Sequence, residues 1–202
     1  MNDRDKAIVT DIQRFRCLTR DDIADLHFAH TKHPITQANM VLKRLRRDGL
    51  LKCSTERRKY VYFPYESKVK PESQKISHFL AVADFYKEVR AHGEPRVFEV
   101  EPKYGKGMPE PDAFMIWRGN AWFVEVQRTV YTDKVMKAKL DRYEAYYNSG
   151  EWEREPWQPP NKKIFPWVWI TGIGRYNLGA RPYRAIQDDV PGLVSKLTPK
   201  KG

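Results

Sequence analysis

Pro111-Asp112-Ala113-Phe114-Met115-Ile116-Trp117, a break at Arg118-Gly119-Asn120, then Ala121-Trp122-Phe123-Val124-Glu125-Val126-Gln127-Arg128-Thr129 is the stretch whose reading decides the fold. Two aromatic and β-branched runs separated by Gly-Asn predict a β-hairpin with a two-residue loop. Pairing Arg118 with Ala121 places Asp112 opposite Gln127 and Phe114 opposite Glu125. Side chains alternate across a sheet, so Asp112, Glu125 and Gln127 share one face, and Ala113, Met115, Val124 and Val126 take the other. The result is one polar cluster on an apolar ribbon.

Two carboxylates converging in a sheet repel one another and lose hydration. A hard divalent cation resolves both problems. Magnesium (or manganese) takes one or two carboxylates plus waters and phosphate oxygens, which suits phosphodiester chemistry. Asp112 and Glu125 are the candidate ligands, with the Val126 main-chain carbonyl completing the set.

At these residues the chain resembles the PD-(D/E)XK nuclease superfamily, with Pro111-Asp112 as the first motif and Glu125-Val126-Gln127 as the second. The resemblance implies an αβββαβ restriction-endonuclease-like core. The surrounding pattern follows that order: a helix over 74–91 (Ile76, Phe79, Leu80, Ala83, Phe85, Val89), a strand over 95–101, the hairpin strands over 111–117 and 121–129, a helix over 132–148 and an apolar strand over 164–171. A Trp- and Pro-rich connection over 150–161 reads as a packed irregular loop. A short helix near 188–197 and a basic end finish the chain.

Across all 202 residues, 41% hydrophobic and 13% aromatic content is enough for real cores, in an α/β (α+β) chain. A net charge of +11 and a pI near 9.6 point to a polyanionic partner, nucleic acid ahead of an acidic membrane surface. No apolar run reaches the roughly 18 residues of a membrane span, and Met1-Asn2-Asp3-Arg4-Asp5-Lys6 lacks a signal peptide's apolar segment, so a cytoplasmic protein is expected. Cys17 and Cys53 read as reduced thiols.

The charge is not evenly spread, since residues 1–70 hold 16 Lys and Arg against 9 Asp and Glu. There, Ile8, Ile12 and Phe15 predict a first helix, Thr19 before Arg20-Asp21-Asp22 caps a second, and Pro34 opens a third that Gly49 closes. Leu50–Ser54 and Lys59–Pro64 then read as a basic hairpin. Three helices followed by such a hairpin resemble a winged helix-turn-helix domain, with "VLKRLRRDGLLK" as the passage from recognition helix to wing. In that fold Thr36, Gln37 and Asn39 face bases, and Lys43, Arg44, Arg46, Arg47, Arg57, Arg58 and Lys59 meet phosphates of double-stranded DNA. Such readers often bind as homodimers on two half-sites. The aperiodic segment 66–73 marks a boundary between a DNA-binding domain over 1–68 and a nuclease-like domain over 74–202.

The join of these halves, with "SHFLAVADFYKEVR", "EPDAFMIW", "FVEVQRT" and "KLDRY", resembles the replication-relaxation family of plasmid and mobile-element proteins. That likeness implies a role in replication, relaxation or transfer of extrachromosomal DNA. The family's second-strand motif is commonly Glu-x-Asp, and this chain has Gln127 in the third place. An amide can orient a water but supplies no positive charge, so a cation must come from elsewhere: Lys134 or Lys137 in the following helix, or Lys103 or Lys106 in the loop before the hairpin. Glu88 and Glu99 are further acids that could receive a metal-bound water. Three functions stay open: a magnesium-dependent endonuclease or nickase, an inert nuclease-like fold serving as a site-specific DNA-binding regulator, and a protein-interaction adaptor. No small-molecule cofactor is expected.

Overall fold

The computed structural model describes residues 1–198, and the basic end at Lys200 and Lys201 lies outside them. The described residues form a mixed α/β protein with six α-helices and two sheets. The chain divides into two compact units, Met1–Lys87 and Glu88–Gly202.

In the first unit, α1 (Asp3–Arg14) starts at a reciprocal cap in which the Asn2 side chain accepts the Asp5 amide and Asp5 accepts the Asn2 amide. Thr19 and Asp22 cap α2 (Arg20–His27) in the same way, and Pro34 stands in the first turn of α3 (Pro34–Arg47). Ile8, Ile12, Phe15, Ile23, Leu42 and Leu45 are wholly buried, each contributing roughly 1.5–3 kcal/mol of transfer free energy. The expected hairpin is present as β2 (Leu51–Ser54) and β3 (Val61–Pro64). It gains a third member, the two-residue β1 (Leu18–Thr19), giving an antiparallel sheet of order β1-β3-β2. A strand that short leaves no period to read. At the start of α4 (Lys75–Ala91), Ile76 and Phe79 pack with Cys17, Val61 and Phe63, and burial pushes the Cys17 thiol up to about 12.

The second unit holds β4 (Val97–Val100), β5 (Ala113–Trp117), β6 (Asn120–Gln127), α5 (Asp133–Ser149), a 3₁₀ turn (Glu151–Arg154), β7 (Trp167–Gly172), β8 (Ala185–Gln187) and α6 (Val190–Leu197). Sheet order is β4-β5-β6-β7-β8; the first three strands run antiparallel, and β7 and β8 add in parallel. Trp122 and Trp169 are fully buried on one face. On the other, Phe114, Phe123 and Ile170 pack under Leu140, Tyr143 and Tyr146 of α5.

The hairpin register differs from the sequence expectation. Trp117 pairs with Asn120 and Ala113 with Val124, so the loop is Arg118-Gly119 rather than Gly119-Asn120. Both loop residues have positive φ, 49° and 75°, as a mirror-image two-residue turn requires. Arg118 tolerates this while its guanidinium reaches the His92 carbonyl at 3.0 Å. The pairing moves by two residues in sum, so no side chain changes face, but Asp112 now stands across from Glu125 instead of Gln127.

At the far end of β6 the backbone of Gly172 lies so close that a Cβ there would sit 2.2 Å from the Gln127 carbonyl oxygen, at φ +97°. Gly172→Ala is therefore expected to cost at least about 2 kcal/mol in a urea unfolding curve. A stability equal to the native chain's would contradict this close approach.

Candidate functional site

Asp112 follows a buried proline just before β5, and its main-chain carbonyl accepts the Glu101 amide at 3.0 Å, which extends the β4–β5 ladder by one step. Its Oδ2 accepts the Val126 amide at 2.7 Å, fixing the carboxyl against the neighbouring strand beside Glu125. Glu125 is only 1% exposed. Tyr143 donates its hydroxyl to Glu125 Oε1 at 2.6 Å, and the Lys139 ammonium donates to Oε2. Lys139 and Tyr143 are four residues apart on α5, one helical turn, so both reach the same carboxylate. Asp112, Glu125, Lys139 and Tyr143 thus form one cluster on the α5 side of the sheet.

The electrostatics follow from burial. Desolvation pushes the Glu125 carboxyl up to about 7, with Lys139 opposing the rise and Asp112 adding to it. Burial pulls the Lys139 ammonium down, but Glu125 and Asp112 outweigh that and hold it above the ordinary lysine value. Desolvation, then the Glu125 charge, lifts the Tyr143 hydroxyl well above the ordinary range, so it stays a donor. The Tyr131 ring lies 5.8 Å from the Lys139 nitrogen and borders the cluster.

The other expected site residues fall in several places. Gln127 is 4% exposed on the same face as Glu125, and its Oε1 has no hydrogen-bond partner among the described residues. Lys134 and Lys137 are exposed on the outside of α5, the latter paired with Asp141 at 2.7 Å. Lys103 and Lys106 are exposed in the loop before β5, and Glu88 is exposed on α4. Glu125 takes its side-chain hydrogen bonds from Tyr143 and Lys139, and the cation that meets it is Lys139. The motif "KLDRY" carried that signal, because Lys139 and Tyr143 lie in phase with the buried Met136 and Leu140.

A divalent cation of the magnesium type fits this donor set in kind: two opposed carboxylates of adjacent strands, with oxygen ligands only. Among the described residues no group of three or more His, Cys, Asp or Glu side chains could hold a metal ion. Because Lys139 and Tyr143 occupy both oxygens of Glu125, that residue would hold a cation only in exchange for Lys139.

In the first unit the exposed face of α3 carries Thr36, Gln37, Asn39, Lys43, Arg46 and Arg47, together with Met40, which is 64% exposed. Asn39, Arg58, Lys59 and Tyr60 line a concavity of about 370 Å³ between this helix and the β2–β3 turn, where Arg20 and Asp21 also contribute. Lys43, Arg46, Arg47 and Lys52 line another of about 480 Å³. Four of the expected phosphate ligands have internal partners, one of them Arg47, whose exposed side chain meets its neighbour Asp48 at 3.2 Å. Arg44 forks onto the buried Asp5 at 2.8 and 2.9 Å, Arg57 donates to the Ser73 carbonyl and the Ser77 hydroxyl, and Lys59 pairs with Asp21 at 3.1 Å. The Arg44 hydrogen bond holds the Asp5 carboxyl below the usual carboxylate range.

These partners separate two kinds of arginine. Replacing Arg46 and Arg47 together with alanine is expected to reduce the salt slope of DNA retention by about 2 without moving the thermal midpoint. Arg44→Ala is expected to lower the midpoint and leave the slope unchanged, most clearly above the pH at which Asp5 ionises. Gel retention at several salt concentrations, with a melting curve of each variant, checks both.

The second unit defines a mixed five-stranded sheet with an acid–lysine cluster under its following helix. Residues 64–158 match the family model described as Replication-relaxation, and that match supports the replication-relaxation family for this part of the chain. The family points to replication and mobile-element processes; residues 1–63 and 159–202 lie outside the match. No curated protein and no solved structure matches the chain significantly. Among the described residues no helix is long and apolar enough to cross a membrane.

Proposed function

We propose that this protein is a DNA-processing factor of plasmid or mobile-element replication or transfer. It holds double-stranded DNA on the basic face of its first unit and cleaves phosphodiester bonds at Asp112, Glu125 and Lys139. The observation that carries the reading is the Lys139 ammonium on Glu125 across from Asp112. A PD-(D/E)XK site needs two acids and a cation, and the chain provides the cation from α5 where the motif itself has only Gln127. The element order α4-β4-β5-β6-α5-β7 supports the same assignment, and three helices with a β2–β3 hairpin support a winged helix for the first unit. Such a reader fits a homodimer on two half-sites.

Asp112 and Glu125 would hold magnesium or manganese, which when bound polarises a phosphate oxygen and lowers the pKa of a water. The chain's own residues do the rest. Lys139 places a positive charge beside the acids, where negative charge develops on a phosphate during cleavage. The Tyr143 hydroxyl fixes the orientation of Glu125, and the unpartnered Oε1 of Gln127 accepts a hydrogen bond from a water or substrate donor on the same face. Tyr143 and Tyr146 are buried with their hydroxyls engaged by Glu125 and Glu155, which disfavours either of them as a nucleophile for covalent attachment of a DNA strand.

A second reading rests on one observation, the closure of Glu125. With both oxygens engaged and 1% exposure, the cluster also serves as a structural lock in a DNA-binding regulator that does not cut. Supercoiled plasmid incubated with the protein in magnesium or manganese separates the two. Open-circular or linear product that EDTA abolishes supports cleavage, and retention of intact supercoiled plasmid supports the regulator.

A further inference from the structure

Four of the nine large apolar side chains exposed among the described residues lie around the carboxyl ends of β6 and β7: Val130 at 69%, Tyr131 at 37%, Val135 at 49% and Ile173 at 49%. The two strands end side by side, Gln127 against Gly172, and the Ile173 amide donates to the Gln127 carbonyl at 3.0 Å. The Tyr131 amide donates to the Tyr176 hydroxyl at 3.1 Å, which ties the β6–α5 connection to the loop after β7. This rim therefore has a fixed backbone although its apolar side chains face outward. Arg128, Lys134 and Arg175 are exposed on the same connections, and among the described residues no ion pair engages any of the three. One acid, Asp133, opens α5 nearby.

An apolar patch made for a protein partner or a membrane would not need an aromatic ring facing, at 5.8 Å, the lysine that holds Glu125. An apolar rim set among unpaired cations matches a chain that is anionic along its backbone and flat and apolar on its bases. Duplex DNA hides those base faces, whereas single-stranded DNA exposes them. We infer that the rim formed by Val130, Tyr131 and Ile173 is a stacking platform for an unpaired base of single-stranded DNA, with Arg128, Lys134 and Arg175 on its phosphates. Through Tyr131 the base sits beside Lys139, so the inference builds on the proposed cleavage site and narrows its substrate to melted, nicked or branched DNA.

The test is done in EDTA, where no cleavage occurs, with the full chain and a decanucleotide carrying 2-aminopurine, free and annealed to its complement. Single-strand binding quenches the fluorophore in the native protein. Tyr131→Ala lowers single-strand affinity about 5- to 100-fold, the range of one base–aromatic stack at 1.4 kcal/mol per tenfold, while Tyr131→Phe stays within about threefold. Val130→Ser and Ile173→Ser each lower it a few-fold, which keeps the test informative if Tyr131→Ala is misfolded by circular dichroism. Duplex affinity is unchanged in all four. Unchanged single-strand affinity in the three non-conservative variants overturns the inference. So does an equal loss on duplex, or a native chain whose sedimentation shows self-association that Ile173→Ser abolishes. An inactive protein in magnesium that still quenches through Tyr131 sinks the proposed cleavage alone; active cleavage with no dependence on Tyr131 sinks the platform alone.

Discussion

Lys139→Met is expected to lower the unfolding free energy by about 3–5 kcal/mol, because it strands the Glu125 carboxylate in a place where water does not reach. The partner substitution recovers most of the loss. Lys139→Met with Glu125→Leu removes both charges, and replacing a buried pair with apolar groups is neutral or better in many proteins. Urea unfolding of the two variants reads this directly, and a double variant no better than the single one would show that the pair is not the source. A pH dependence follows with a definite sign. Glu125 titrates at about 7 in the folded chain and near 4.5 when free, so between those values the folded state holds more protons than the unfolded one. Its contribution is complete below about 4.5 and is lost as pH rises through about 7. Without Lys139 the folded value moves higher still, so the variant keeps losing stability above pH 7, where the native chain has levelled off.

Asp112→Asn is the second large effect, a fall in metal-dependent cleavage on the order of 10³-fold with DNA retention within about threefold of native. Asparagine keeps an oxygen that can accept the Val126 amide, so the strand end is preserved while the charge is lost. The same substitution removes a charge that raises Glu125 and also one that helps hold the Lys139 ammonium, two effects of opposite sign on folding. A melting curve of the variant with an unchanged midpoint then assigns a loss of activity to chemistry and not to unfolding. Lys139→Arg is the companion variant: it keeps a cation on α5, and partial activity there with none in Lys139→Met separates charge from packing.

Much of the second unit was legible in the sequence because its strands are long, aromatic and bounded by Gly or Pro, and α4 and α5 carry clear helical periods. That Asp112 and Glu125 share one face was legible for the same reason, although the expected register set Asp112 opposite Gln127 instead of Glu125. The hairpin loop was misplaced by one residue because Gly-Asn is a good turn pair, and nothing local announces that Arg118 takes a left-handed conformation beside Gly119. Choosing among Lys134, Lys137 and Lys139 needed the phase of α5 against the sheet. Lys134 and Lys137 point away from the stripe of Met136, Leu140 and Tyr143, and only Lys139 leans over it. In the first unit the same blindness to phase made Arg44 look like its neighbours Arg46 and Arg47. It is the one that turns inward, to an Asp5 whose place in the α1 cap and whose burial no sequence period marks. β8 is three residues long after a Gly-rich loop, too short for any pattern to form.

On the proposed function Asp112 and Glu125 together grip a divalent cation, and the most direct measurement is anomalous scattering from a crystal soaked in manganese. The expected result is a peak between the two carboxyl groups with the Lys139 ammonium displaced from Glu125. A crystal with no peak there, and with Lys139 and Tyr143 still closed on Glu125 at saturating manganese, would contradict it.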